Sequence, residues 1–534
     1  HVQDVIGLNF SMQPGSTIAS ITQEEGVPLV QAETGMQSTT VNQLVITHLP
    51  SLTRNPYDFV ALSAGAAPAG TRGAGFALNG QRAESGSFLL DGSDNNDPYN
   101  SGPGQIVPLD VVEEYRLMTH NFTAEYGRNT GFIANVVTKS GTNDFHGAAY
   151  YFNRNSALAA NTYENNARGI PPPVFNGHQL GGAVGGPILR DKVFFYAAVE
   201  PILVRSSATL SYYVPTPELL AVSSAGTNAM FRRFPVPSNL SQTDVSIRTV
   251  CPFGRFCGST INSGFVTIPA FASTTRTGPV DAGAGVPQDT QLWTGRLDYT
   301  LNERSTLNVR YAFQDANQFA TVTQPYSAEL DQPFNVQNQN ITLNLTHFLS
   351  GNFFTESRAV FSRLFQQSPA APATEFPSFT ITGDTISGST GSLSLPSARN
   401  AFGGSQNIYQ FYQGANWIRG THNLKFGWQY EHLRDSRVPT EVSFTRSNQG
   451  EFRDLQGFVD GFLTSYQLSL DPKGKVPGQL IQPPFGPSVS LRHYRFNDMA
   501  GFFQDSWKIS PLLTLSPGLC YEYFGAGHRT GNEK

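Results

Sequence analysis

The chain contains no run approaching the roughly 18 apolar residues that a membrane-crossing helix requires, and its mean hydropathy is -0.26. Helical passage through a bilayer is therefore excluded. Charge is also scarce. Only 14% of residues are charged, against roughly a quarter in soluble domains, and a net charge of -5 argues against a nucleic-acid partner, which would call for a basic patch. The histidines never come closer than ten positions apart, so a His-x-x-x-His zinc pair is missing. The glycine-rich run Gly181-Gly182-Ala183-Val184-Gly185-Gly186 lacks the Lys-Ser/Thr of a phosphate loop. No catalytic residue, metal site or cofactor is expected, and the chain is not read as an enzyme.

Aromatic residues, by contrast, are plentiful: 39 Phe and 20 Tyr bring the aromatic share to 12%. They fall into stretches of period-two hydrophobicity. Leu307, Val309, Tyr311 and Phe313 hold one parity while Thr306, Asn308, Arg310, Ala312 and Gln314 hold the other. Trp293, Leu297 and Tyr299 likewise oppose Thr294, Arg296 and Asp298. Such a strand shows one face to apolar surroundings and the other to water or polar side chains. About eleven strands of this kind are expected, near 145–153, 178–188, 192–207, 290–300, 305–318, 337–348, 353–366, 406–418, 422–434, 492–508 and 512–524.

The connections near 189–191, 301–304, 349–352, 419–421 and 509–511 are short, and those near 154–177, 208–289, 319–336, 367–405 and 435–491 are long. Strict alternation is expected of a transmembrane antiparallel β-barrel, with short turns at the periplasmic rim and long loops outside. A soluble sandwich also alternates in polarity, but its strands are shorter and its long loops are not segregated to one end. Cys251 and Cys257 lie in the longest loop, on the oxidising side, where a small disulfide loop is expected in place of two free thiols. Cys520 reads as strand filler. The chain begins at His1 without a signal peptide, so it is expected to be processed or partial. An odd strand count would leave unpaired edges in lipid, so further C-terminal strands are expected.

Before residue 140 the texture changes. Residues 15–40 read as a linker and 41–139 as a compact α/β domain. There Val41–Leu49 and Tyr57–Leu62 fit short helices, and Phe76–Leu78, Ser87–Leu90, Glu114–Met118 and Gly131–Thr138 fit short strands. Asp91, Asp94, Asn95 and Asp97 crowd a turn segment. They invite a calcium reading, but the spacing completes no EF-hand loop, and a structural turn is the expectation.

Several motifs in this region resemble the plug of TonB-dependent outer-membrane receptors, most nearly the Oar-like group. They are Asn79-Gly80-Gln81-Arg82, Phe88-Leu89-Leu90-Asp91-Gly92 with Asn95-Asn96-Asp97, Glu125-Tyr126-Gly127-Arg128, and Asn135-Val136-Val137-Thr138-Lys139-Ser140-Gly141-Thr142-Asn143. Lys192-Val193-Phe194-Phe195 and Phe502-Phe503-Gln504-Asp505-Ser506-Trp507 continue the resemblance. It implies a mainly β protein: a barrel of about twenty-two strands, of which this chain would hold half in 140–534, closed by an α/β plug at 41–139. Extracellular loops 208–289 and 435–491 would capture ligand. Residues 1–14 would be the last strand of a truncated immunoglobulin-like, carboxypeptidase-regulatory-like domain. Thr17-Ile18-Ala19-Ser20-Ile21-Thr22 would be the TonB box, taken by strand addition by an inner-membrane energy-coupling protein.

The function implied is active transport of a large or scarce solute across the outer membrane, driven by proton-motive force, with the plug facing the periplasm. Carbohydrate, peptide and metal-chelate ligands all stay open. Surface adhesion or protein export on the same architecture is the alternative. Arg82, Glu125 and Arg128 are candidates for contact with lumen-facing Arg296, Asp298 and Arg310; otherwise they are solvated or serve turns within the plug.

Overall fold

The computed structural model describes residues 36–530 apart from 50, 52, 69–74, 128, 162, 168–171, 173, 258–263, 280–288, 322–323, 370–377, 382–392, 398–401, 439–448, 468–491 and 511. Residues 1–14 and 17–22, and Arg128, thus lie outside the described residues.

The N-terminal unit is built on a five-stranded sheet. Its strands are β1 (Gln37–Asn42), β2 (Ser87–Leu90), β3 (Ser93–Asp94), β4 (Val112–His120) and β5 (Ile133–Thr138), in the spatial order β1-β4-β5-β2-β3. Residues 41 and 42, expected to be helical, end strand β1 instead. The helix is Gln43–His48, started by the Asn42 side chain accepting from the Val45 amide at 3.1 Å. β-branched Thr39, Thr40 and Val41 pair with Leu117, Arg116 and Tyr115, and that pairing outweighs helix propensity. Tyr57, Phe88, Phe132 and Tyr115 fill the core, with Phe88 meeting Tyr57 and Phe132 edge-to-face at 5.4 and 5.6 Å.

The large sheet follows with β6 (His146–Asn155), β7 (Val174–Leu189), β8 (Val193–Pro215), β9 (Asp289–Asn302), β10 (Ser305–Thr321) and β11 (Gln332–Ser350). It continues through β12 (Phe353–Ser368), β13 (Phe402–Arg419), β14 (His422–Val438), β15 (Arg492–Ser510) and β16 (Gly518–Phe524). Each strand pairs antiparallel with the next in chain order. All eleven expected strands are present, several longer than expected. The outer strands β6 and β16 do not pair with one another, so the barrel is not closed.

Burial is inverted relative to a soluble protein. Trp293 and Trp428 stand 52% exposed on the outward face, whereas Arg310, Asn340 and Thr342 on the inward face are each 1% exposed. The outward surface is thus matched to hydrocarbon and the inward one to polar contact.

Two long connections differ from expectation. The segment 208–289 was expected to be loop throughout, yet β8 runs on to Pro215 because Ser207–Pro215 pairs with Phe271–Pro279 of the strand Val266–Pro279. The segment 435–491 begins inside β14 and holds a helix, Leu455–Asp460. Outer loop residues Leu219, Phe231, Phe271, Leu395, Phe452 and Phe458 pack into one apolar core. The long connections therefore fold together.

Candidate functional site

The Asp91-Gly92 pair forms the two-residue turn between β2 and β3, with φ of 52° and 73°. Positive φ at both positions makes it a type I′ turn, which explains why Asp-Gly stands there. This turn presses the N-terminal unit against the inward wall of the large sheet. Asp91 accepts from the Thr138 amide at 2.8 Å, from the Thr138 hydroxyl at 3.0 Å and from Arg310 Nε at 2.7 Å. Arg296 lies 3.9 Å from the same carboxylate. It donates to Asp298 at 2.8 Å and to the Thr138 carbonyl at 2.6 Å, while Ser140 donates to Asp298 at 2.9 Å. Burial would raise the Asp91 carboxyl, but Arg310, Arg296 and the Thr138 hydrogen bonds outweigh it and hold it below the ordinary carboxylate range. Arg310 also donates to Thr342 at 2.8 Å. Its Nη1 finds no acceptor among the described residues.

The chain then climbs the wall toward the long-loop rim. Arg358 donates to the Gly92 carbonyl and pairs with Glu356. A Cβ on Gly92 would sit 3.1 Å from the Arg358 guanidinium, a close approach that compounds its positive φ. Gln410 donates to the Asp94 carbonyl at 3.0 Å. Asp97 accepts from Gln406 at 2.9 Å and from Gln366 at 3.0 Å, and Arg437 covers the Tyr99 ring at 4.4 Å. Asn95 serves the unit itself, bonding Tyr57 at 2.8 Å and the Gln105 backbone at 2.9 Å. The acidic cluster is therefore a turn segment gripped by the sheet. Among the described residues no group of three or more His, Cys, Asp and Glu could hold a metal.

Two further anchor points flank this seam. Glu125 pairs with Lys425 and accepts from Tyr412 at 2.9 Å. On the opposite side Arg54 pairs with Asp110, lies 3.4 Å from Glu200, and sits 4.4 Å over the Tyr150 ring. Gly181 and Gly185 leave the space that the Tyr150 and Tyr196 rings occupy, and Tyr196 donates to the Asp110 carbonyl at 3.2 Å. Tyr126 packs against Leu89, Met118 and Ile133, and Gly127 lies against Glu522. A cavity of about 260 Å³ opens between the unit and the sheet, bordered by Asp94, Asp97, Glu125, Arg358, Tyr412 and Glu431.

Of the charges expected at this interface, Glu125, Arg296, Asp298 and Arg310 take part. Arg82 is exposed and bonds no described residue of the sheet; Asn79 and Gly80 form a turn, with φ of 52° and 75°. Residue reading assigned Asp91 to a turn and missed it as the acid that Arg310 meets. It also missed the inward glutamines, although Gln366, Gln406 and Gln410 share the parity of Arg358. Cys251 and Cys257 are joined in a disulfide, Cα–Cα 5.9 Å. Gln456 of the Leu455–Asp460 helix grips Cys251 through its amide and its carbonyl, both at 2.9 Å.

Residues 137–533 match the family model described as "Outer membrane beta barrel domain". The chain is 30% identical over 139 residues to the TonB-dependent transporter Oar of Myxococcus xanthus, a match covering 25% of this chain and 13% of that protein. Among solved structures it resembles the outer membrane transporter YddB of Escherichia coli, with TM-score 0.55, 12% identity, and 92% of this chain against 57% of that one covered. It also resembles the siderophore receptor PirA of Acinetobacter baumannii, with TM-score 0.53, 13% identity and coverages of 92% and 57%. A variant of the ferric enterobactin receptor PfeA of Pseudomonas aeruginosa, solved with enterobactin, gives TM-score 0.53 and 12% identity over 93% and 60%. At such identities the likeness is one of fold. The chain thus spans less than two thirds of each of these proteins.

Proposed function

This chain belongs to the outer membrane beta barrel family, and from that premise we propose that it is part of a TonB-dependent transporter in which residues 41–139 plug the lumen. The observation that carries this reading is the polar seam from Asp91 to Tyr99. A lumen of a wide barrel is aqueous and must be sealed. A seal of charge-assisted hydrogen bonds can part and re-form, because water replaces each partner and little apolar surface is exposed. A permanent interface would instead resemble a split hydrophobic core.

The chain is not an enzyme, in keeping with the transporters and receptors it resembles. The work done is mechanical: a pull on the segment ahead of the plug, for which Thr17–Thr22 is the candidate, loosens the seam and frees a path for solute. The partner is a TonB-type energy-coupling protein of the inner membrane. The ligand is a solute captured by the long-loop side. PfeA and PirA are named for siderophores, which suggests a metal chelate among the ligand classes, beside carbohydrate and peptide.

Two measurements test the reading, one on a peptide and one on the full-length protein. A peptide of residues 15–40 should bind the periplasmic domain of a TonB-type protein, and lose binding when residues 17–22 are scrambled; equal binding by both peptides removes this segment as the coupling site. In planar bilayers the intact protein should hold a closed channel that conducts after deletion of residues 41–139. Full conductance in the intact protein would make it a passive porin.

A further inference from the structure

The outward face of β12–β15 carries a row of basic side chains along a single register line. Following the cross-strand pairs, Arg363 stands opposite Asn407, Asn407 opposite Arg434, Arg434 opposite Arg495, and Arg495 opposite His528. Their parity is that of Phe411, Trp428 and Met499, all exposed, and opposite to that of Gln406, Leu433 and Phe496, which face inward. Arg363, Arg434 and Arg495 are themselves exposed.

The row lies immediately above an aromatic band. Phe361 and Tyr409 meet at 5.2 Å, and Tyr409 and His432 at 6.1 Å. Arg434 lies 5.4 Å over the Tyr409 ring and donates through Nε to His432 Nε2 at 3.2 Å. His432 Nδ1 in turn meets Asn497 Oδ1 at 2.8 Å. Trp417 and Phe353, in contact at 6.5 Å, mark the opposite rim. From Phe353 to Arg363 the strand rises about 3.3 Å per residue, and a tilt of about 40° gives roughly 25 Å in height. That equals the apolar band of a barrel, so Arg363 stands at the headgroup level on the long-loop side; the register line crosses tilted strands, so Arg434 and Arg495 differ from it in height by roughly 3 Å per strand.

Among the described residues the row also has no carboxylate partner. Along the outward parity of β12, β13, β14 and β15 the one carboxylate is Asp505, at the short-turn rim, 2.7 Å from His422. Asp315 is outward too, but it stands two strands away from β12. Arg205, also outward, is by contrast paired: it meets Asp289 at 2.6 Å. Arg434 and Arg495 are one strand spacing apart, about 5 Å, and Arg363 two spacings beyond, about 10 Å. Long guanidinium stems can converge over such spans on one phosphate or bridge two.

We propose that Arg363, Arg434 and Arg495 form a docking strip for phosphate-bearing lipid headgroups of the outer leaflet. The strip would fix the height and rotation of the sheet in the membrane without contact with the transported solute. It rests on membrane placement alone, and stands or falls apart from the uptake reading.

The test uses the full-length protein in phosphatidylcholine nanodiscs doped with a diphosphorylated glucosamine lipid or its dephosphorylated form, with retained lipid counted by native mass spectrometry. Each arginine near an anionic surface contributes roughly fivefold, so the triple variant Arg363→Gln, Arg434→Gln, Arg495→Gln should bind the diphosphorylated lipid about a hundredfold more weakly. Arg205→Gln should bind as the parent does. Unchanged retention by the triple variant overturns the proposal. So does equal retention of the dephosphorylated lipid by the parent, a comparison that needs no variant to fold. Inorganic phosphate binding the parent as tightly as the lipid would assign the row to free anions and overturn the lipid assignment.

Discussion

Replacing Asp91 by Asn should loosen the seam more than any other single substitution. The change removes the charge that faces Arg310, whose side chain is 1% exposed, and leaves that guanidinium buried beside Arg296. Removing one partner of a buried pair costs about 3–5 kcal/mol, most of it the penalty of the stranded charge. Arg310→Met deletes the other partner and should cost less, about 2–3 kcal/mol, since Asp91 keeps its Thr138 bonds and neighbouring Arg296. The double variant should then cost clearly less than the two singles together, by about 2 kcal/mol or more.

The assay is amide hydrogen exchange at Thr138, whose N–H is donated to Asp91, in the full-length protein. It reads the free energy of local opening. The pH dependence supplies a check on sign. The carboxyl is held below its unfolded value, so its contribution is full above about pH 4, near the unfolded carboxylate value, and is lost as pH falls through the lower folded value. Protection of Thr138 should therefore decline in acid for the parent, with a shallower decline for Asp91→Asn. Additive single effects below about 1 kcal/mol, or identical pH slopes, would refute the argument.

Lys425→Met should leave Glu125 with Tyr412 as its neutral donor and weaken the seam locally by about 1–3 kcal/mol, read as faster exchange at Ala124, whose amide is donated to Gln504 at 2.7 Å. Phe458→Ala should destabilise the outer loop core by about 3–5 kcal/mol while the barrel strands stay protected; limited proteolysis that cuts 216–279 and 449–467 together will report it. Reduction of Cys251–Cys257 should remove about 2–3 kcal/mol from the same unit, given the short loop it closes. Loss of protection at residues 455–460 on reduction is the expected readout, because Gln456 holds Cys251.

Strand positions were legible in the sequence because lipid and lumen impose opposite polarity on alternate residues, and that demand is written in each strand separately. Leu307 to Phe313 against Thr306 to Gln314 shows it without knowledge of any neighbour. The Asp91-Gly92 turn was equally legible, since positive φ at two successive positions restricts residue choice locally. Which charges meet was not. Asp91 and Arg310 are 219 positions apart, and nothing in either segment names the other; only the docking of the N-terminal unit brings them within 2.7 Å. Arg82, equally charged and in an equally marked motif, is left in solvent.

The outer loop core is an intermediate case. Leu455, Phe458 and Val459 carry helical spacing behind an Asp454 cap, a signal present in the sequence and passed over. Their packing against Phe231 and Phe271 depends on which strands end beside one another. The basic row needed most of all the tertiary structure. Arg363, Arg434 and Arg495 are unremarkable in three separate strands, and only register sets them in one line with no carboxylate beside them among the described residues. The sequence by itself determined strand polarity, turn chemistry and membrane class, because these are local demands on single segments. Partners, interfaces and charge rows were decided by the tertiary structure, because each is a relation between segments far apart in the chain.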